Sequence, residues 1–296
     1  MNPLISVIIP TYNHAHFLGR ALQSLLDQTY SNWEAIIIDN YSEDGTEIVI
    51  ENFKDPRIQH LKFRNNGVIA ASRNKGIFMA KGEWIAFLDS DDWWTSDKLQ
   101  CCILGINPGV DFLYHDLKII REKASFFQRD NVKSRQLKSP VLRDLLVNDN
   151  AISNSSVVVR KKLLDKIGGL SEDKTMIGSE DFNAWLRIAK LTDNFLYIPK
   201  FLGFYQIHGT GISSKEMTGC YIAAITDFLS EITPLERNKI NSTLTYMRGK
   251  YYFLNKQFDI ALRELNSNLT NGEMRIRLKS LYIITLILIS KVLLVK

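Results

Sequence analysis

The sequence has few cysteines, and their spacing gives them no joint role. Cys101, Cys102 and Cys220 are odd in number, and no two of them form a CxxC pair. The cysteines therefore imply neither a disulfide framework nor a zinc site, and a reducing compartment fits. The opening residues MNPLISVIIPTYN lack the basic region and the apolar length of a signal peptide. We therefore expect the protein to act in the cytoplasm.

The chain also lacks a strong excess of charge of either sign. Its 296 residues include 37 Lys and Arg and 32 Asp and Glu, which gives a net charge of +5. The basic residues are not interleaved with aromatic residues in one block, so we expect no nucleic-acid partner. Apolar residues make up 45% of the chain, which is enough for one large domain with an appendage.

The first 110 residues alternate strand patterns with helix patterns. Helical spacing of apolar residues separates the short apolar runs, and this alternation predicts a mainly parallel sheet covered by helices on both faces. The predicted strands are Leu4–Ile9, Trp33–Ile38, Ile58–Phe63 and Glu83–Leu88, and the predicted helices are Phe17–Gln28, Thr46–Phe53 and Val68–Ala80. Further along, the patterns predict strands at Phe112–Leu117 and Ala151–Arg160, a loop over 121–140, a helix at Glu180–Lys190, and only helices beyond about 215.

Polar residues follow three of the predicted strands. In parallel sheets, ligands bind beyond the carboxyl ends of the strands. The stretch AFLDSDDWW ends the fourth strand, and in an extended chain Asp89 and Asp91 would share one face. Two such carboxylates suit Mg²⁺ or Mn²⁺ bound together with substrate phosphates. A solvated acidic turn is equally compatible with these residues, and Asp92 is expected to support the N-terminus of the next helix.

Four segments together resemble the family 2 glycosyltransferases of the GT-A fold. They are SVIIPTYNHAHFLGRALQSLLDQTY, AIIIDNYSEDGT, NNGVIAASRNKGI and GEWIAFLDSDD, in this order over residues 4–100. A weaker likeness continues through Ser179–Asp181 and Tyr205–Ser213. The resemblance implies an α/β GT-A fold, with a Rossmann-like mixed, mainly parallel sheet and flanking helices. It also implies an inverting enzyme with a nucleotide-sugar donor and a Mn²⁺ or Mg²⁺ cofactor.

The resemblance further implies a donor site. Pro10, Thr11 and Tyr12 would line the nucleotide pocket, and Asp39 would accept a hydrogen bond from the base, as in uridine recognition. Arg73 would lie near the base and the diphosphate.

The resemblance also implies the chemical roles. Asp181, beside Glu180, would be the general base. Asp89 would contact the ribose or the sugar, and Asp91, Asp89 and His208 would be the metal ligands. Two points stay open. Trp94 is either a platform for the sugar or acceptor or a core residue. Gln206 replaces the Arg that the family usually has, which removes an expected phosphate contact.

The domain division expected from these patterns is a catalytic domain over 1–215 and a helical extension over 216–296. Within the first, 1–110 would bind the nucleotide sugar and 111–215 the acceptor. Residues 245–270 resemble one tetratricopeptide-like helix pair. The terminal segment 273–296 has five basic residues and one acidic residue, and its apolar stretch of about fifteen residues is short of the ~20 that span a bilayer. It is either a buried helix or a basic helix lying on the inner face of the cell membrane.

The expected function is transfer of a sugar, from a donor that Asp39 indicates is UDP-linked, to a hydroxyl of a glycan or lipid-linked glycan in surface polysaccharide synthesis. A sugar nucleotidyltransferase is one alternative, but it would want a Gly-rich, Arg-containing loop after the first strand, and PTYNHAHF has none. A non-catalytic nucleotide-sugar binding protein is the other alternative. The sequence does not specify the donor sugar, the acceptor or the linkage.

Overall fold

The computed structural model describes residues 2–121, 130–208 and 215–294. The strands are β1 Ile5–Thr11, β2 Trp33–Asp39, β3 Ile58–Lys62, β4 Trp84–Phe87, β5 Trp93–Trp94, β6 Phe112–Arg121, β7 Asn131–Val132, β8 Val158–Arg160 and β9 Phe195–Ile207. The helices are α1 Ala15–Leu26, α2 Thr46–Glu51, α3 Ile69–Met79, α4 Lys98–Gly105, α5 Val141–Asn148, α6 Lys161–Lys166, α7 Glu180–Ala189, α8 Thr218–Ile225, α9 Pro234–Leu254, α10 Phe258–Asn271 and α11 Met274–Leu294.

The strands form one mixed sheet in the order β3-β2-β1-β4-β8-β6-β9-β5, and β7 pairs with β6. The first four strands of this order are parallel, as are β6 and β9. β8 is antiparallel to both β4 and β6, and β5 is antiparallel to β9. Every residue of β1 and β2 is buried, as expected for strands covered on both faces. The predicted mixed, mainly parallel α/β sheet is confirmed.

Helices cover both faces of this sheet. Alternate residues of β1 project to opposite sides, so Val7 packs in the core that includes α1, whereas Ile8 packs in the core that includes α3. Gly76 lets α3 approach β1 closely, because a Cβ atom there would lie 2.5 Å from Cγ2 of Ile8. Close packing of α3 brings Arg73, on the same helix, under the carboxyl end of the sheet.

Two predicted segments differ from the structure. Ala151–Arg160 is a strand only at β8, because Asn154–Ser156 form a 3₁₀ turn before it. The predicted loop over 121–140 lies partly outside the described residues, and its described part includes the short strand β7.

The C-terminal helices α9, α10 and α11 pack on one another. A capping box between Thr233 and Glu236 begins α9. The side chain of Asn268 on α10 contacts Ser280 on α11 at 3.4 Å, and Ala261 and Leu265 share an apolar cluster with three isoleucines of α11, so these two helices are antiparallel. In the part of the chain that the structure describes, no helix is long and apolar enough to cross a membrane.

The predicted boundary at residue 215 stays a prediction. It falls between β9 and α8. The large core on the α3 side of the sheet nevertheless continues past it, since Tyr221, Ile225, Ile240 and Leu244 belong to that core. The first helices after the boundary therefore pack directly on the sheet domain.

Candidate active site

A cavity of about 600 Å³ opens at the carboxyl ends of β1 and β4. Sequence reasoning placed eleven residues in the site, and nine of them line this cavity: Pro10, Thr11, Tyr12, Arg73, Asp89, Asp91, Glu180, Asp181 and His208. They come from segments that are far apart in the chain. Parallel pairing of β1 and β4 brings the residues that follow these two strands together, while α3, α7 and the end of β9 supply the others.

Asp39 and Trp94 are the two predicted site residues that do not line the cavity. Asp39 is fully buried at the end of β2, and its Oδ1 accepts hydrogen bonds from the amide of Ser42 at 3.0 Å and the hydroxyl of Ser42 at 2.5 Å. Its Oδ2 lies 3.7 Å from Nε2 of His60. Trp94 is buried, and its indole N–H donates to the carbonyl oxygen of Ser155 at 2.8 Å. The structure therefore places Trp94 in the core.

The acidic stretch forms a turn and not an extended chain, so strand alternation is not what gives Asp89 and Asp91 a common side. β4 ends at Phe87, and the amide of Asp92 donates to the carbonyl oxygen of Asp89 at 3.0 Å. The turn nonetheless directs both Asp89 and Asp91 to the cavity.

Asp92 does not support the next helix as predicted, because α4 begins only after Asp97. Its Oδ1 instead accepts the amide of Gln206 on β9 at 2.9 Å. Burial, together with the charges of Asp91 and Asp89, raises the pKa of Asp92 well above its usual range. Asp92 thus fastens the acidic turn to β9.

Asp91 and His208 form the pair best suited to a divalent metal. Nε2 of His208, the residue directly after β9, lies 2.9 Å from Oδ2 of Asp91. Oδ1 of Asp89 already accepts hydrogen bonds from Arg73 and Asn154. No group of three or more His, Cys, Asp or Glu side chains is placed to hold a metal ion within the described ranges. One imidazole and one carboxylate fit an ion that takes its remaining ligands from phosphates and water.

Arg73 joins the acidic turn to the start of α7. Its Nη2 lies 2.7 Å from Oδ1 of Asp89, and its Nη1 lies 2.5 Å from Oε1 of Glu180. Glu180 also accepts the amide of Gly178 through Oε2. Burial alone would lower the pKa of Arg73, but the two carboxylates raise it above its usual range. The guanidinium therefore holds two anionic segments in place while lining the cavity.

Asp181 lies in the first turn of α7, beside Glu180. Its Oδ1 accepts the amide of Phe182 at 2.7 Å. Burial is the main cause that raises the pKa of Asp181 to about 7, the charge of Glu180 adds to the rise, and Arg73 opposes it. A carboxylate with a pKa near 7 can both accept and release a proton at neutral pH, which is what a general base requires.

The structure adds two residues that sequence reasoning missed. His14 lines the cavity, and its Nδ1 lies 2.8 Å from the hydroxyl of Ser90. Arg20 on α1 donates to Oε1 of Gln206 at 3.1 Å and to the carbonyl oxygen of Asp91 at 3.3 Å. Gln206 stands where the family usually has an Arg, and this replacement was the signal that a cation from another segment, here Arg20, could lie at that position. No local pattern pointed to His14.

A mixed α/β sheet with an acidic turn at its carboxyl edge defines the GT-A class of nucleotide-sugar enzymes. The family model "Glycosyl transferase family 2" matches residues 6–168, which is more than half of the chain. This chain therefore belongs to glycosyl transferase family 2. The Escherichia coli enzyme UDP-Glc:alpha-D-GlcNAc-diphosphoundecaprenol beta-1,3-glucosyltransferase WfgD is 31% identical over 188 residues, covering 63% of this chain and 70% of WfgD.

Two solved structures share the fold. TarS 1–349 of S. aureus in complex with UDP-GlcNAc aligns with a TM-score of 0.63 at 17% identity, over 96% of this chain and 90% of that one. The Pyrobaculum calidifontis mannosyltransferase PcManGT, in complex with GDP-Man and Mn²⁺, aligns with a TM-score of 0.62 at 17% identity, over 100% of this chain and 81% of that one. At this identity, the likeness bears on the fold alone, and it confirms the predicted GT-A architecture.

Proposed function

We propose that this chain is an inverting glycosyltransferase that moves a sugar from a UDP-linked donor, the kind of donor named for WfgD, to a hydroxyl of a lipid-linked glycan diphosphate in surface polysaccharide synthesis. The observation that carries the proposal is the arrangement of one cavity. The Asp91–His208 pair and Asp181, with a pKa raised to about 7, both line it. Family membership favours sugar transfer over nucleotidyl transfer and over non-catalytic binding.

The proposed reaction needs one proton transfer. Asp181 takes the proton of the acceptor hydroxyl while the hydroxyl oxygen attacks C1 of the donor sugar. The bond from C1 to the diphosphate oxygen breaks on the opposite face, which inverts the anomeric centre. General-base help of this kind is worth ~10²–10⁴-fold in rate.

The cavity needs added positive charge to bind a diphosphate. Asp89 and Glu180 already neutralise Arg73, and Asp91 adds a further carboxylate. We propose that Asp91 and His208 would hold Mn²⁺ or Mg²⁺, and that the bound ion would supply positive charge for the departing diphosphate. PcManGT is in complex with Mn²⁺ as well as GDP-Man, which supports this choice of ion.

The acceptor is proposed from relatives. WfgD acts on a GlcNAc-diphosphoundecaprenol, and a Bacillus subtilis relative, 42% identical over 100 residues, carries the name of a putative teichuronic acid biosynthesis glycosyltransferase. We propose the same class of acceptor here, presented at the inner face of a membrane, which would give the protein a peripheral location there.

The test is a donor screen with Mn²⁺ and a lipid-diphosphate GlcNAc acceptor, scored by release of nucleoside diphosphate and by the anomeric configuration of the product. We expect Asp181→Asn to lower turnover ~10²–10⁴-fold while donor binding is unchanged. The matched control is Asp165→Asn, which removes an exposed carboxylate from α6. Near-normal turnover by Asp181→Asn, or a product with the retained configuration, would overturn the proposal.

A further inference from the structure

The last helix, α11, exposes a continuous apolar face. Six large apolar side chains on it are each about half exposed or more: Met274, Leu278, Leu281, Tyr282, Leu288 and Ile289. Their spacing of three, four and seven residues puts them on one side of the helix. Isolated exposed apolar residues are ordinary, but a contiguous face marks an interaction surface.

The opposite side of α11 is already used. Ile283, Ile284 and Ile287 are buried in the cluster that α11 forms with α10, and Ser280 is fully buried. Packing within the protein thus accounts for one side of the helix only. Because α11 is apolar on both sides, its exposed side needs an apolar partner from outside the described chain.

Charge identifies the kind of partner. The first turns of α11 include Arg275, Arg277 and Lys279, and no Asp or Glu occurs from residue 274 to the end of the sequence. Glu273, directly before the helix, is paired with Lys239 on α9 at 3.3 Å. An anionic lipid surface offers both an apolar layer and a negative charge to such a helix. A second copy of this face would bring only more cations.

Contacts on α9 and after α5 connect the start of α11 to the cavity. Lys239, which holds Glu273, also donates to the side chain of Asn148 at 2.7 Å. Asn150, two residues further along the chain, lines the cavity. A short series of contacts therefore links the basic end of α11 to the wall of the cavity, where a lipid-linked acceptor would arrive from a membrane.

We infer that the exposed face of α11 is the surface by which this protein lies on an anionic lipid bilayer, with Leu278, Leu281 and Leu288 among the inserted side chains. This inference rests on the proposed function, because it names the surface at which the lipid-linked acceptor is met. The helix lies in the interfacial plane, with exposed Arg275 beside the inserted side chains. Arg277 donates to the carbonyl oxygens of Gly272 and Thr270, and Lys279 lies over the ring of Tyr246, so these two side chains add positive charge at the same end of the helix while they contact the protein.

The test is co-flotation of the full chain with vesicles of phosphatidylglycerol and phosphatidylcholine. We expect binding to these vesicles, and at least about tenfold weaker binding for the double variant Leu281→Glu with Leu288→Glu. Binding to pure phosphatidylcholine vesicles should be weaker as well. The matched control is Leu104→Glu with Leu235→Glu, which places the same charges at two exposed leucines outside α11 and should leave flotation unchanged.

Equal flotation of the wild type and the α11 double variant, or no flotation of the wild type, would overturn the inference. So would a wild-type dimer that the α11 variant converts to a monomer in light scattering, because the face would then join two copies. Transfer to a short-chain, water-soluble acceptor separates this inference from the proposed function. The α11 variant should retain that activity, whereas absence of transfer by the wild type would count against the proposed function alone.

Discussion

The pKa of Asp181, raised to about 7, gives the reaction a pH dependence that an ordinary carboxylate would not give. A base with this pKa is about one-tenth ionised at pH 6, half ionised at pH 7 and nine-tenths ionised at pH 8. We therefore expect kcat/KM to rise about tenfold between pH 6 and pH 8. A base with the usual pKa of an aspartate, 3.8, would give no change over this range.

The variant Glu180→Gln tests whether the charge of Glu180 contributes to the raised pKa of Asp181. Removing the neighbouring negative charge should lower the pKa of Asp181, so the acid limb of the profile should move to lower pH. A limb that moves in this variant is thereby assigned to Asp181, because Glu180 is the neighbouring carboxylate whose charge raises the pKa of Asp181. The matched control is Glu51→Gln on α2, at an exposed glutamate.

The assay is kcat/KM from pH 5.5 to 8.5 at constant ionic strength and saturating Mn²⁺, scored by release of nucleoside diphosphate. A profile that is flat over this range in the wild type would refute the assignment of Asp181 as a base with a raised pKa. A limb that stays in place in Glu180→Gln would refute the electrostatic reasoning.

Three further predictions concern stability. Arg73→Met leaves buried Glu180 without its cation, so the free energy of unfolding in urea should fall by ~3–5 kcal/mol, and a variant as stable as the wild type would contradict the ion-pair network. Trp94→Phe removes the donor to Ser155, so stability should fall by ~1–3 kcal/mol while the donor KM is unchanged; a raised KM would return Trp94 to the binding site. Burial lowers the pKa of Lys98 from 10.5 to about 8, so between these pH values the unfolded chain binds more protons than the folded chain. The stability of the wild type, measured relative to Lys98→Met, should therefore rise by up to ~3 kcal/mol from pH 8 to 10.5. A difference in stability that stays constant over this range would contradict the lowered pKa.

Much of the sheet could be predicted because its signals are local. The apolar runs that became β1, β2, β3 and β4, and the helical spacing between them, lie within short windows, so each element is visible without its neighbours. The meeting of polar residues at one edge follows from parallel pairing alone. This is why the amino-acid sequence by itself was enough to place Tyr12, after β1, beside the same cavity as Asp89 and Asp91, after β4.

The acidic turn could not be predicted in detail, because distant residues determine its shape. Asp92 is held by the amide of Gln206 on β9, and Asp89 by Arg73 on α3. No window around AFLDSDDWW contains these partners. The same holds for Asp39, whose burial beneath the cavity depends on how Ser42 and His60 pack around it.

The ion pairs of Arg73 also limit how this enzyme can be recombined with its relatives. Arg73 and Asp89 precede residue 110, whereas Glu180 belongs to the segment expected to meet the acceptor. A chimera that imports residues 111–215 to change the acceptor keeps the arginine and one carboxylate but takes its second carboxylate from another parent. Only parents with an acidic residue at this place would complete the buried network. An exchange of residues 111–215 as a block should therefore preserve stability only between parents that both have an acidic residue at this position.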